Sequence, residues 1–162
     1  MLFRTSRSPD LYQDMDKRLN KFEPQQVTIN GNEVTVQPEE KQAYDAAQAA
    51  IAAEDYKKAY KLFAQFNRDW KSSPYRVDAL YWQGASAFAV EDYKTTINLQ
   101  NQLIREFPND GKVPDAMVSV GSAQAALGNL KAASATFNKV IQRFPKSNAA
   151  KTAKLRLKAI SR

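Results

Sequence analysis

The stretch "ALYWQGASAFAVEDYKTTINLQNQLIREFP", residues 79–108, decides the fold, because its pieces return elsewhere at one fixed interval. Gly84 aligns with Gly121, 37 residues on, and the same spacing relates Ala59, Thr96 and Ala133 as well as Tyr56, Tyr93 and Leu130. Phe107-Pro108 is answered by Phe144-Pro145, with Trp70 one period before Phe107, and "DAL" at 78–80 returns as "DAM" at 115–117. Coincident columns in one register mark an internal repeat, the feature to settle before any local structure is read.

Each unit reads as two helices. The first carries the glycine, with Leu80 and Ala87, then Met117, Val120 and Gln124, at helical spacing. The second follows a short "ED" or "GN" turn; in the third unit Ala133, Phe137, Val140 and Ile141 form its apolar stripe. Pro108 and Pro145 stop these helices, since proline has no N–H to donate and disfavours helix at the residue before it. Ser73-Pro74 predicts an N-cap followed by a first-turn proline, and Ser147 predicts the cap of a last helix over 148–160. The small residues have a packing reason: where paired helices cross, Gly84 and Gly121 on one and Ala59 and Ala133 on the other let the backbones approach.

This pattern resembles the tetratricopeptide repeat, lengthened by three residues between units. The fold expected is all-α: a tetratricopeptide-repeat superhelix of three helix-turn-helix units, about 39–74, 75–111 and 112–147, with a C-terminal capping helix. Residues 1–38 are expected to form a separate region. There "SPDLYQDMDKRLNKFE" reads as a short helix capped at Ser8, with Leu11, Met15, Leu19 and Phe22 as its apolar seam. "PQQVTINGNEVTVQPEE" alternates like a strand pair around Asn30-Gly31, but isolated two-stranded hairpins are marginal. A linker between helix and repeats is therefore the expectation for that stretch.

Composition narrows the function. With no cysteine and no histidine among 162 residues, there is no thiolate nucleophile, no Cys-ligated metal and none of the commonest general base. Nor is there a Gly-rich phosphate loop. The chain reads as a non-enzyme, with no catalytic residues, cofactor or metal site expected. No apolar run approaches the ~18 residues of a membrane helix, and "MLFRTSRSPD" lacks a hydrophobic stretch of signal-peptide length. Charge is unevenly placed: after Asp115 there is no acidic residue, while nine of the 24 basic residues follow it.

A more particular resemblance lies in "LYQDMDKRLNKFE" followed by a variable linker and three such repeats. Leu11, Tyr12, Asp14, Asp16, Arg18, Leu19 and Glu23, with Tyr81, Trp82, Gly84 and Asp92-Tyr93, are similar to the YbgF or CpoB family of Tol-Pal-associated periplasmic repeat proteins. That resemblance implies a periplasmic location and an N-terminal trimerising coiled coil, of which this chain would be the C-terminal part. It also implies two partners, TolA and a class A penicillin-binding protein, in coordinating peptidoglycan synthesis with outer-membrane constriction at division. An outer-membrane assembly protein with similar repeats is the alternative by resemblance; its family carries a lipidated cysteine and usually five repeats, and this chain shows neither.

Helical phase then nominates the binding face. Counting the glycine as position 8, positions 2, 5, 9, 12 and 13 of each first helix share one arc, lining the concave side of the stack. The candidates are Tyr44, Gln48 and Ile51; Asp78, Tyr81, Ala85 and Phe88; Asp115, Val118 and Ser122; with Trp82 at the edge. Tyr81 and Trp82 are either interface anchors or plain packing residues. Asp78 and Asp115 are either groove charges or carboxylates complementing a helix dipole. Positions 5 and 9 carry no lysine or asparagine, so the groove departs from repeats that clamp a C-terminal carboxylate. Lys151, Lys154, Lys158 and Arg162 form a basic stripe on the last helix. It reads as a solvated face, a site for an acidic protein partner, or a basic adaptor surface for nucleic acid, the last without interleaved aromatics to stack bases.

Overall fold

The computed structural model describes residues 11–15, 17 and 23–161. Residues 11–15 and 17 are helical and exposed (α1). Ser8, Asp16, Arg18, Leu19, Phe22 and Arg162, all named above, lie outside the described residues.

The segment expected as a linker is instead an antiparallel hairpin. β1 (Gln25–Ile29) pairs with β2 (Asn32–Val36) in a two-stranded sheet, Val27 opposite Val34. Asn30 and Gly31 both take positive φ, 52° and 81°, the type I′ geometry that Asn-Gly favours. A lone hairpin is marginal, but this one is not alone. Val36 is buried, and Val27 and Ile29 pack beside it on the core of the first helical pair. The alternation that suggested a strand pair also supplies the apolar face that holds it.

The repeats form three helical pairs and a last helix: α2 (Pro38–Ala52) with α3 (Tyr56–Asp69), α4 (Arg76–Ala89) with α5 (Tyr93–Glu106), α6 (Val113–Ala126) with α7 (Leu130–Arg143), then α8 (Asn148–Ile160). The second helices start 37 residues apart because one cap recurs. The side chains of Asp55, Asp92 and Asn129 accept the N–H groups of Lys58, Thr95 and Ala132, satisfying donors the helix leaves open. One residue before each cap, Glu54, Glu91 and Gly128 take φ of 57°, 66° and 83°. That turn needs a left-handed residue, and only the third unit supplies glycine. Trp70, Phe107 and Phe144 end these helices, each N–H bonded to the carbonyl four residues back. Ser147 caps α8, its Oγ accepting the Ala150 N–H at 3.0 Å. Ser73-Pro74 differs from expectation: the pair lies in the turn before α4, which starts at Arg76, and Ser73 Oγ accepts the N–H of Tyr75.

Close approach at the glycines is real, and it names a column the sequence did not flag. A Cβ on Gly121 would stand 2.9 Å from Phe137 Cδ1; on Gly84 it would meet the Gln100 side chain, with Cδ at 2.9 Å. Gln100 thus holds in the middle unit the place of the buried Phe63 and Phe137 in its neighbours. Its Nε2 donates to the Tyr81 carbonyl at 3.0 Å, and Thr96 Oγ1 donates to the Gly84 carbonyl at 3.0 Å. Two apolar clusters flank this polar centre. One surrounds Phe63, Phe66 and Tyr75; the other surrounds Leu80, Leu103, Met117 and Phe137.

Candidate functional site

One hollow of about 280 Å³ gathers six of the concave-face candidates: Tyr81, Ala85, Phe88, Asp115, Val118 and Ser122. Its remaining walls are Ser119 and, from α8, Ala149, Thr152 and Arg156. The α8 contribution was missed because that helix was read as a cap rather than as the first helix of another unit. The 37-residue interval from Asp115 to Thr152 was the available signal.

The other candidates are placed differently. Tyr44 stacks on Tyr75 with ring centroids 4.1 Å apart and accepts a hydrogen bond from Gln48 Nε2 on its hydroxyl at 2.7 Å. Tyr44, Ile51 and Trp82 pack against the first apolar cluster and do not line the hollow. Tyr81 packs against the second cluster, its ring meeting Trp82 edge-on at 5.5 Å. Adjacent residues on α4 therefore serve opposite neighbours, as a turn of 100° per residue requires.

Lys112 Nζ lies 4.4 Å from the Tyr81 ring centroid and 5.9 Å from that of Trp82, a cation on two aromatic faces. By the repeat interval Lys112 occupies the place of Tyr75, so the Tyr44–Tyr75 stack of the first two pairs becomes Tyr81–Lys112 in the next. Burial raises the Tyr81 hydroxyl above its ordinary range, and the Asp115 carboxylate pushes the same way. Burial, with the charge of Asp78, pushes Tyr44 up to about 12. Both phenols keep their protons at neutral pH and stay able to donate. Asp78 is raised by burial against the pull of Lys112. Asp78 and Asp115 also sit in the first turns of α4 and α6, where a carboxylate complements the helix dipole; Asp115 lines the hollow as well, and Asp78 does not.

The basic stripe lies elsewhere. Lys151, Lys154 and Lys158 flank Leu155, 70% exposed, on the outer side of α8. Lys154 and Lys158 stand one interval past Met117 and Gly121, where earlier units press their first helix on their second. Lysines there give the stack a charged end. Among the described residues no helix is long and apolar enough to cross a membrane, and no group of three or more His, Asp, Glu or Cys side chains is placed to hold a metal.

Residues 115–147 match the Tetratricopeptide repeat family. No curated protein matches the chain by sequence. Among solved structures, the Arabidopsis OM64 TPR domain superimposes with a TM-score of 0.62 at 18% identity, over 74% of this chain and 94% of that one. The second TPR domain of human RPAP3, in complex with an HSP70 peptide, gives 0.60 at 18%, over 74% and 92%. PcrH from Pseudomonas aeruginosa gives 0.66 at 16%, over 78% and 95%. With the recurring caps and the glycine crossings, these likenesses identify the fold: the chain carries tetratricopeptide repeats stacked as a superhelix.

Proposed function

We propose that this chain is a non-catalytic protein-interaction scaffold that takes a segment of a partner protein against the concave hollow. The observation that carries this reading is the convergence of Tyr81 and Phe88 with Asp115 and Arg156 around one open space. Aromatic area offers a desolvated anchor, while charges of both signs at the rim set register and orientation. The similar RPAP3 domain is described with an HSP70 peptide bound, which supports peptide capture as a use of this fold. The position-5 and position-9 residues here are Tyr44, Tyr81 and Val118, then Gln48, Ala85 and Ser122. A clamp for a terminal carboxylate is therefore not the mode proposed.

For the partner, the resemblance of residues 11–23 and of the central repeat to the YbgF or CpoB family supports a periplasmic segment of TolA, with a class A penicillin-binding protein as the second partner. The role would be coordination of wall synthesis with envelope constriction at division. Calorimetric titration with the helical periplasmic region of a cognate TolA, at two salt concentrations, tests it. Saturable binding that persists at higher salt and weakens at least tenfold in Tyr81→Ala is the expected result. Binding that Tyr81→Ala leaves unchanged would move the contact off the concave hollow, and binding that disappears with salt would move it to the basic end of the chain.

A further inference from the structure

A second hollow of about 280 Å³ lies on the opposite side of α6. Met117, Val120 and Gln124 follow one another at three and four residues along one face of α6, while Asp115, Val118 and Ser122 occupy the other. Met117 and Val120, both nearly buried, and Ile104 of α5 make its floor. Lys139 and Arg143, four residues apart on α7 and exposed, stand at its edge.

The preceding seam shows why this space is open here. One interval earlier, Asn67 replaces Ile104, Gln83 replaces Val120, and Glu106 replaces Arg143. There Asn67 donates to Gln83 at 2.9 Å, and Arg76 reaches across to Glu106 at 3.2 Å, so polar groups close over the floor. Val113 stands in the place of Arg76 and reaches nothing comparable. The second seam is left with an apolar floor and two cations.

Among the described residues those cations have no counter-ion. Neither Lys139 nor Arg143 forms an ion pair among the described residues; Arg143 rests 5.1 Å over the Phe144 ring. Glu106, the acid at the end of the neighbouring helix, is held by Arg76 and Gln102. No acidic residue follows Asp115 in the chain, so α7 and α8 have no carboxylate to offer. The space falls just below the ~300–1,000 Å³ typical of small-molecule pockets, a size suited to one or two side chains.

We propose that this outer hollow is a second docking site, distinct from the concave one, for an acidic amphipathic helix of a partner protein. One or two leucine-sized side chains would enter over Ile104, Met117 and Val120, and flanking carboxylates would pair with Lys139 and Arg143. Apolar area supplies the desolvated anchor, and the uncompensated charge selects an acidic flank over a basic one.

The test is a backbone-amide NMR titration of the chain with a short capped helical peptide bearing leucines on one face and glutamates on the other. A copy with lysines in place of the glutamates is the control. The expected result is shift changes centred on Asn101, Ile104, Val120 and Lys139, and affinity reduced at least tenfold in the Lys139→Glu/Arg143→Glu double variant. The lysine peptide should not bind. Both substitutions are at exposed positions, and an unchanged melting curve would confirm the double variant is folded; Ala135→Phe, filling the space from an exposed position, gives an independent second block. Shifts centred on Tyr81 and Phe88 or on Leu155, equal affinity for both peptides, undiminished binding by the charge-reversed protein, or no binding of the glutamate peptide would each overturn the proposal.

Discussion

The two seams between helical pairs are built on one backbone plan and filled with opposite chemistry. Between the first and second pairs, Asn67 and Gln83 bond to each other below the surface, and Arg76 joins the Asn67 carbonyl to the Glu106 carboxylate. Between the second and third, Ile104, Val120 and Val113 stand at the matching positions and the contact is apolar. Gln100 extends the polar character into the middle pair, where its neighbours carry phenylalanine. A repeat stack tolerates this because each unit touches only the next, so one interface can change its chemistry without disturbing another. The polar seam demands a definite register of donors and acceptors. The apolar seam stabilises more per unit area and leaves its outer face open.

The largest effect should come from the column that separates the two styles. Phe137→Ala removes a fully buried ring from against Gly121 and should cost about 3–5 kcal/mol in urea denaturation. Gln100→Ala at the matching place should cost less than half of that. Its side chain contributes one hydrogen bond to the Tyr81 carbonyl, worth about 1 kcal/mol, and its buried Oε1 has no partner to lose among the described residues. Equal losses would mean the middle pair depends on its glutamine as the third depends on its phenylalanine.

A double-mutant cycle breaks the comparison directly. Gln83→Val alone leaves the buried Asn67 amide without its acceptor and should cost about 1–3 kcal/mol. Asn67 Oδ1 already lacks a partner among the described residues, so the single variant strands the whole side-chain amide. Adding Asn67→Ile copies the second seam into the first and should recover most of the loss, a coupling read from four denaturation midpoints. Strictly additive losses would show that the two side chains do not act as a unit.

Much of the fold was legible because the repeat records backbone demands rather than side-chain taste. Glycine at the crossings, Asp or Asn at the second-helix caps and proline after the aromatic each answer a geometric requirement that recurs every 37 residues. Gln100 was not legible as an equivalent of Phe137, since polarity hid the shared position. Nor was the hairpin's order, because it depends on Val36 reaching a core supplied by α2 and α3. Within the candidate site, helical phase brought together Tyr81, Phe88, Asp115 and Ser122. Phase alone could not show that Tyr75 would cover Tyr44, or that Trp82, one residue past Tyr81, would turn toward the first pair.

The turns between paired helices carry the same comparison at smaller scale. Glu91 holds a φ of 66° that Gly128 reaches without strain. A left-handed non-glycine residue costs ~1–2 kcal/mol, partly offset by the greater freedom glycine has when unfolded. Glu91→Gly should therefore raise the stability of the middle pair by about 0.5–1 kcal/mol, while Gly128→Ala should lower that of the third by a similar amount. Thermal melts of both variants check the signs, and matching signs would place the strain elsewhere.

Acid should distinguish the seams by the smallest margin. The Glu106 carboxyl is held below its usual value, first by the hydrogen bond from Arg76, then by the bond from Gln102 and the Arg76 charge, with burial opposing. A lowered folded value means the contribution is complete above the ordinary glutamate range near 4.5 and is lost as the pH falls below it through the folded value. The pair is partly solvated on the glutamate side, 38% exposed, so the effect is under about 1 kcal/mol. Asp78, raised by burial, runs the other way, its penalty fading as it takes a proton. Only a difference measurement isolates Glu106: the fall in stability from pH 6 to pH 3 should be smaller in Glu106→Gln than in the parent chain. Since Arg143 occupies the matching place in the second seam, Arg143→Gln should leave that fall unaltered. An equal change in both variants would trace the acid response to net charge and not to the polar seam.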